Sequence, residues 1–208
     1  MRADPPLSLA SVLGSALRMT VVTFVLTGLL YPLAVTALAQ VLFHQRANGS
    51  WATDEQGRVV GSELLGQNFT HPGYFHLRPS AAGELGYDAA ASSGSNLGPA
   101  SAKLRARVGA EVERLKIENP DAEFPVPSEL VTTSASGLDP HLSPEGALWQ
   151  VARVAKARNV PLDRVKTLVV AQSEGRDFGF LGEARVNVLA LNLALDKKFG
   201  RPLEELHR

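Results

Sequence analysis

The sequence predicts an α+β protein that is mainly helical, with a soluble domain behind one N-terminal transmembrane helix. Three observations carry this. Residues 19–43 hold no Asp, Glu, Lys, Arg or His and are mostly apolar. Later segments repeat apolar residues at helical spacing, and a short β-branched stretch is followed by a long run rich in glycine and proline.

Residues 1–18 form a tail containing Pro5 and Pro6, with helix expected from Ser8 onward. At about 1.5 Å per residue the uncharged stretch reaches roughly 37 Å, enough for a hydrocarbon core of about 30 Å. Arg2 and Arg18 precede it, whereas Arg46 and Arg58 follow it beside Asp54 and Glu55. That weak bias places the N terminus in the cytoplasm and the soluble domain in the periplasm. The alternative is a cleaved signal peptide, with Ala37-Leu38-Ala39 as the cut. Against it, the apolar run exceeds an ordinary signal core and continues through Val41, Leu42 and Phe43.

At 100° per residue, Ala16, Thr20, Thr23, Thr27, Tyr31 and Ala34 share one stripe, opposite Val22, Val25, Leu29 and Leu33. Small and hydroxyl residues let helices approach in lipid, so the stripe is a candidate face for a partner helix. The alternative is that each threonine bonds its own backbone. Pro32 is expected to kink the helix.

Residues 44–58 read as a polar connector and 59–208 as the soluble domain. A strand is expected over 59–65, with Gly61 as a bulge. Residues 66–99 are aperiodic, yet Phe69, Tyr74, Phe75, Leu77 and Tyr87 supply anchors, predicting a folded, loop-built surface. A helix over 100–118 would bury Leu104, Val108, Val112 and Leu115, ending at Asn119-Pro120. A helical turn is expected at 127–130. Ser143-Pro144 signals a helix to about residue 158, burying Leu148, Val151, Val154 and Ala155. Asn159-Val160-Pro161 ends it. A helix over 161–172 would bury Leu162, Val165, Leu168 and Val169, and another spans 188–199, closed by Gly200 and Pro202. Between these two, 177–185 reads as an apolar-rich loop or strand.

The composition narrows the function. The 21 basic residues balance 21 acidic ones without a basic run, which argues against nucleic-acid binding. The chain has no cysteine, which removes disulfides, thiolate metal sites and cysteine nucleophiles. His71, His76 and His141 do not fit a metal-ligand spacing, so no metal is expected. Asp139, His141 and the serines at 134, 136 and 143 include every residue type of a hydrolytic triad, but no Gly-x-Ser-x-Gly elbow accompanies them. No catalytic residue is assigned. The run Ser93, Gly94, Ser95, Asn96, Gly98 precedes a helix and has the composition of an anion cradle, although it lacks the lysine of a P-loop. Arg78 stands alone, and Gln150 and Arg153 lie one helical turn apart, where both can face one partner or solvent. Together with Asp139 and His141 these form the candidate partner or nucleotide surface.

Several blocks occur in a fixed order: Gly61 to Phe69, Tyr74 to Ser80, Gly94 to Pro99, Val126-Pro127 with Glu129 to Thr132, Ser136 to Pro144, Gln150 to Ala155, and Val186 to Asp196. Together with the N-terminal span, the set resembles the C subunit of the bacterial high-affinity potassium-transporting Kdp ATPase. Ser93-Gly94-Ser95 stands where the family often has Gly-Gly-Ser, and Ser134-Ala135-Ser136-Gly137 where it often has Ser-Gly-Ser-Gly. The resemblance implies a non-catalytic accessory subunit of the bacterial inner membrane. Its partners would be the ATPase (B) subunit, the channel-like potassium-binding (A) subunit, the small single-span (F) subunit and membrane lipid. It would assemble or stabilise the complex and act as a catalytic chaperone raising the ATPase subunit's affinity for ATP. ATP and potassium would be used by the complex. The alternatives are a membrane-anchored periplasmic hydrolase and a direct nucleotide-binding regulatory subunit.

Overall fold

In the computed structural model, which describes residues 8–122 and 124–202, chain contacts divide the molecule into one unit up to Ser50 and a second from Trp51. The Pro5-Pro6 part of the predicted tail lies outside the described residues.

The first unit is one apolar helical run, Leu9–Leu42, long and apolar enough to cross a membrane. Its parts are α1 (Leu9–Thr23), a π-helical segment (Phe24–Leu30) and α2 (Tyr31–Leu42), followed by the single turn α3 (His44–Ala47). Ser8 caps α1, its side chain accepting from the Ser11 N–H. The helix thus starts where expected, ahead of the uncharged stretch. The π segment sits immediately before Pro32, and the Tyr31 N–H reaches back to the Leu26 carbonyl. The wider turn is where this helix accommodates a proline ring that disrupts an ordinary α ladder.

The second unit begins with a hairpin of β1 (Trp51–Thr53) and β2 (Val59–Ser62). Ala52 pairs with Gly61 and Thr53 with Val59, so Val60 is the extra residue of a bulge next to the predicted glycine. The supposed connector therefore contains a strand. It forms because Asp54 organises the turn, its Oδ1 accepting from the Gln56 and Arg58 N–H groups.

From Glu63 to Ser101 the backbone forms turns and bends with no helix or strand. Anchoring is as expected: Phe75 and Tyr74 are buried, and Phe69 and Leu77 pack against the core. Helix α4 (Ala102–Glu118) follows, capped by Ser101, with Leu115 buried and Asn119 as its C-cap. A 3-10 turn occupies Ser128–Val131. The Asn119 side chain donates to the Trp149 carbonyl at 2.6 Å, and Trp149 Nε1 donates to the Phe124 carbonyl at 3.0 Å.

Strand β3 (His141–Leu142) leads into α5 (Pro144–Trp149), where Ser143 caps and Pro144 opens the helix. The single helix expected over 144–158 is broken at Gln150, and α6 (Val151–Arg158) continues after it. Leu148 is only half-buried, whereas Val151, Val154 and Ala155 are buried. Asn159, at φ 52°, ends α6 in the left-handed conformation. In α7 (Leu162–Ala171), Val165, Leu168 and Val169 are buried as predicted. Leu162, expected inside, is 46% exposed at the helix's first residue. Strands β4 (Ser173–Glu174) and β5 (Arg185–Asn187) then close a sheet of order β3-β5-β4. Helix α8 (Val188–Phe199) matches its predicted span and contributes the fully buried Val188, Leu191 and Leu195.

Candidate functional site

The loop-built segment is held to the helices by side chains that bond backbone, and this sets where the candidate residues lie. Residues 72–76 run along α6 and α8 with their peptide groups paired as a strand's would be. The Asn192 amide accepts from the Phe75 N–H at 2.9 Å and donates to its carbonyl at 3.0 Å. Gln150 does the same for His76, at 2.9 Å in both directions. Arg153 donates to the Pro72 and Tyr74 carbonyls at 2.6 and 3.0 Å and to Gln150 Oε1 at 2.6 Å.

Gln150 and Arg153 therefore do share one side of the helix, but it faces inward: they are 2% and 8% exposed. Burial lowers the Arg153 pKa to about 10, with Glu118 opposing the shift. It stays charged at neutral pH. Burial, reinforced by the Arg153 charge, pushes His76 down to about 4, so its ring is neutral there; its Nε2 lies 3.1 Å from the His71 carbonyl. Asp196 and Arg158 complete the clamp. Tyr74 donates its hydroxyl to Asp196 Oδ2 at 2.9 Å, and the Arg158 guanidinium lies 4.8 Å over the Tyr74 ring while pairing with Asp196 Oδ1 at 2.8 Å.

Arg78, Asp139 and His141 meet at a second place, beside a shallow cavity of about 640 Å³ also lined by Leu64, Leu65 and Ala135. Arg78 donates to the Thr132 carbonyl at 3.3 Å and pairs with Asp139 Oδ2 at 3.4 Å. The hydrogen bond from His141, helped by the Arg78 charge, holds the Asp139 carboxyl below its usual range. Asp139 Oδ1 also accepts from the His141 N–H at 3.0 Å, an Asx turn of the kind that Asp-Pro sequences form. The serines of the triad reading are engaged elsewhere. Ser134 Oγ accepts from the Gly137 N–H at 2.8 Å, Ser136 Oγ accepts from the Leu138 N–H at 3.1 Å, and Ser143 donates to Glu129 Oε1 at 2.5 Å.

The glycine-serine run lies against the same 134–137 loop. The Ser93 N–H donates to the Ser136 carbonyl at 2.9 Å, and a Cβ on Gly94 would stand 2.9 Å from the Ala135 carbonyl oxygen. Ser95 is half-buried, while Asn96, at φ 50°, and Gly98 are exposed. The N-terminal turn of α4 is capped from within, because Ser101 Oγ accepts from the Leu104 N–H at 3.3 Å. No group of three or more metal-ligating side chains occurs among the described residues.

In the first unit Thr20, Thr23, Thr27, Tyr31 and Ala34 are all exposed. Thr27 Oγ1 donates to the Thr23 carbonyl at 2.8 Å, the self-bonding alternative for that residue. The uniform 100° step fails through the π segment, whose wide turn takes up roughly one extra residue. Tyr31 and Ala34 are consequently rotated away from the line of Thr20 and Thr23.

The family described as KdpC, the c chain of K+-transporting ATPases, matches residues 13–197. A potassium-transporting ATPase KdpC subunit from Myxococcus xanthus is 72% identical over 186 residues, covering 89% of this chain and 88% of the relative. The KdpC subunit of Methylobacterium nodulans is 55% identical, covering 91% and 96%, and that of Nitratidesulfovibrio vulgaris is 56% identical, covering 86% and 92%.

Proposed function

Since the chain belongs to the KdpC family of K+-transporting ATPase c chains, we propose that it assembles or stabilises the potassium-uptake complex and raises its ATPase subunit's affinity for ATP. It is an accessory subunit of that complex and not the enzyme itself; the complex uses ATP and potassium. The observation that carries this reading is the extent of the family match, which takes in the apolar helical run as well as the folded unit after it.

The partners in this reading are the ATPase, channel-like and small single-span subunits and the surrounding lipid. The helical run crosses the bacterial inner membrane with its N terminus in the cytoplasm and the folded unit in the periplasm. Thr20, Thr23 and Thr27, with Tyr31 and Ala34 on a rotated face, meet neighbouring helices there. A periplasmic domain cannot touch cytoplasmic ATP, so its effect on ATP affinity is a coupling free energy transmitted through membrane helices. Burial of Gln150 and Arg153 leaves Ser93, Asn96 and Gly98 as the exposed part of the candidate surface, with Arg78, Gly94, Ser95, Asp139 and His141 half-buried.

Alkaline phosphatase and a green fluorescent protein, fused separately after Arg208, read the topology. Active phosphatase with a dark fluorescent fusion is expected, and the reverse pair would bring back direct nucleotide binding at the 93–98 loop. In the purified complex, omitting this chain is expected to raise the KM for ATP. An unchanged KM, with the other subunits still assembled, would remove the chaperone role.

A further inference from the structure

Between β4 and β5 the chain leaves the sheet in a turn that closes on itself. Asp177 and Leu181 exchange both backbone hydrogen bonds at 2.9 Å, and the Gly179 N–H donates to the Arg176 carbonyl at 3.1 Å. Three residues take the left-handed conformation: Phe178 at φ 53°, Gly179 at 81° and Gly182 at 74°. At the tip Phe178 is 89% exposed, Phe180 71% and Leu181 50%. A phenylalanine rarely adopts positive φ, and two phenyl groups in water, on either side of Gly179, forgo the stabilisation that burial would give them. Both costs fall on one closed turn, which holds the rings outward.

Two kinds of surface take such a tip, a bilayer or an apolar pocket on a protein. Charge decides between them. From Glu174 to Arg185 there are three carboxylates, at 174, 177 and 183, against two guanidinium groups and no lysine. Both arginines are engaged: Arg176 with Glu183 at 2.6 Å, and Arg185 with Glu174 at 3.0 Å and Asp177 at 3.6 Å. A segment that enters an anionic lipid surface carries spare Lys or Arg, and this one is net acidic. Aromatic anchors inside a rim of mixed, paired charges match the anatomy of a protein interface.

We propose that residues 177–181 are a preorganised docking tip that places Phe178 and Phe180 in an apolar pocket on another protein subunit of the potassium-transport complex. The inference rests on the assembly reading above and adds to it the element that makes contact. The test places the photo-crosslinking residue p-benzoylphenylalanine at position 178 of the full chain, expressed with the other subunits. Illumination is expected to give an adduct with one other subunit, and the same residue at Leu85, which is 95% exposed, to give none. A Phe178→Ser/Phe180→Ser double variant is expected to recover the other subunits about tenfold less well, or worse. Its unfolding midpoint should not change, because neither ring is packed. Adducts to lipid or to a second copy of this chain, no adduct, or equal yield at 85 would overturn the docking tip whenever tagged wild-type chain still recovers its partners. If the tagged wild type recovers no other subunit, the assembly reading itself fails and the inference with it.

Discussion

Gln150 grips the peptide group of His76 from both sides, accepting from its N–H and donating to its carbonyl, each at 2.9 Å. The amide interrupts the helix expected over 144–158 and substitutes for a neighbouring strand. Gln150→Ala would leave a part-buried N–H and C=O unpaired, and Arg153 without its Oε1 acceptor. The expected loss is about 3–5 kcal/mol, read from urea unfolding of the solubilised chain. Asn192 holds the adjacent residue, Phe75, in the same way. The two sites share one clamped segment, so Gln150→Ala with Asn192→Ala should cost less than the sum of the singles by about 0.5–3 kcal/mol. Strict additivity would show that residues 72–76 are not held as a unit.

Protonation of His76 should weaken the same region. Its folded pKa is about 4 against 6.5 for the unfolded ring, lowered by burial and by the Arg153 charge. The unfolded state therefore binds more protons between pH 6.5 and 4. This contribution is neutral above pH 6.5, costs stability progressively as pH falls, and levels off below pH 4 at roughly 3–4 kcal/mol. A His76→Gln variant keeps a donor for the His71 carbonyl and has no proton to take up. The stability difference between the two proteins, followed from pH 7 to 4, should move in favour of the variant; a pH-independent difference would contradict the assignment.

Two glycines near the candidate surface should respond in opposite ways. Gly137 has φ 68°, and a Cβ there would lie 2.6 Å from the Ser93 carbonyl oxygen and 2.8 Å from the Ala82 nitrogen. Gly137→Ala combines a strained backbone with contact against fixed main chain, at a cost of about 2–3 kcal/mol. It should also loosen the 92–95 contact, speeding proteolysis in that loop. Gly98 has nothing within 4 Å and no positive φ, so Gly98→Ala should change stability by less than about 0.5 kcal/mol.

Much of this architecture is legible in the sequence because it follows from local rules. Asn119, Ser143-Pro144, Asn159 and Gly200 mark helix ends that the structure keeps, and the apolar spacing in α6, α7 and α8 selects the buried faces, whereas in α4 Leu115 is buried and Leu104, Val108 and Val112 are half-buried. The clamp is different, since it pairs side chains with backbone far away in sequence: Asn192 with Phe75, and Arg158 with Gly73. A signal for it does exist. Asn192 and Asp196 stand one turn apart in a helix whose other residues from Val188 to Leu195 are all apolar, where a polar residue needs a buried partner. Asp139 and His141 have residue types suggestive of catalysis, carry no catalytic assignment from the sequence, and make an ordinary Asx turn. The π segment has no periodic pattern, and only Pro32 hints at it.

Phe178 offers a stability test separate from any partner. At φ 53° its backbone is in a region that costs an L residue with a Cβ roughly 1–2 kcal/mol, and its side chain, 89% exposed, recovers little by packing. Asparagine adopts this conformation more readily than phenylalanine, because its short polar side chain can bond locally. Phe178→Asn should therefore raise the unfolding free energy of the isolated chain by about 0.5–1 kcal/mol, with the Asp177–Leu181 pair unchanged. A loss of more than about 0.5 kcal/mol would mean that the ring supports the fold. A gain would mean that the wild-type residue is kept against the stability of its own chain, the sign expected of a functional site under strain.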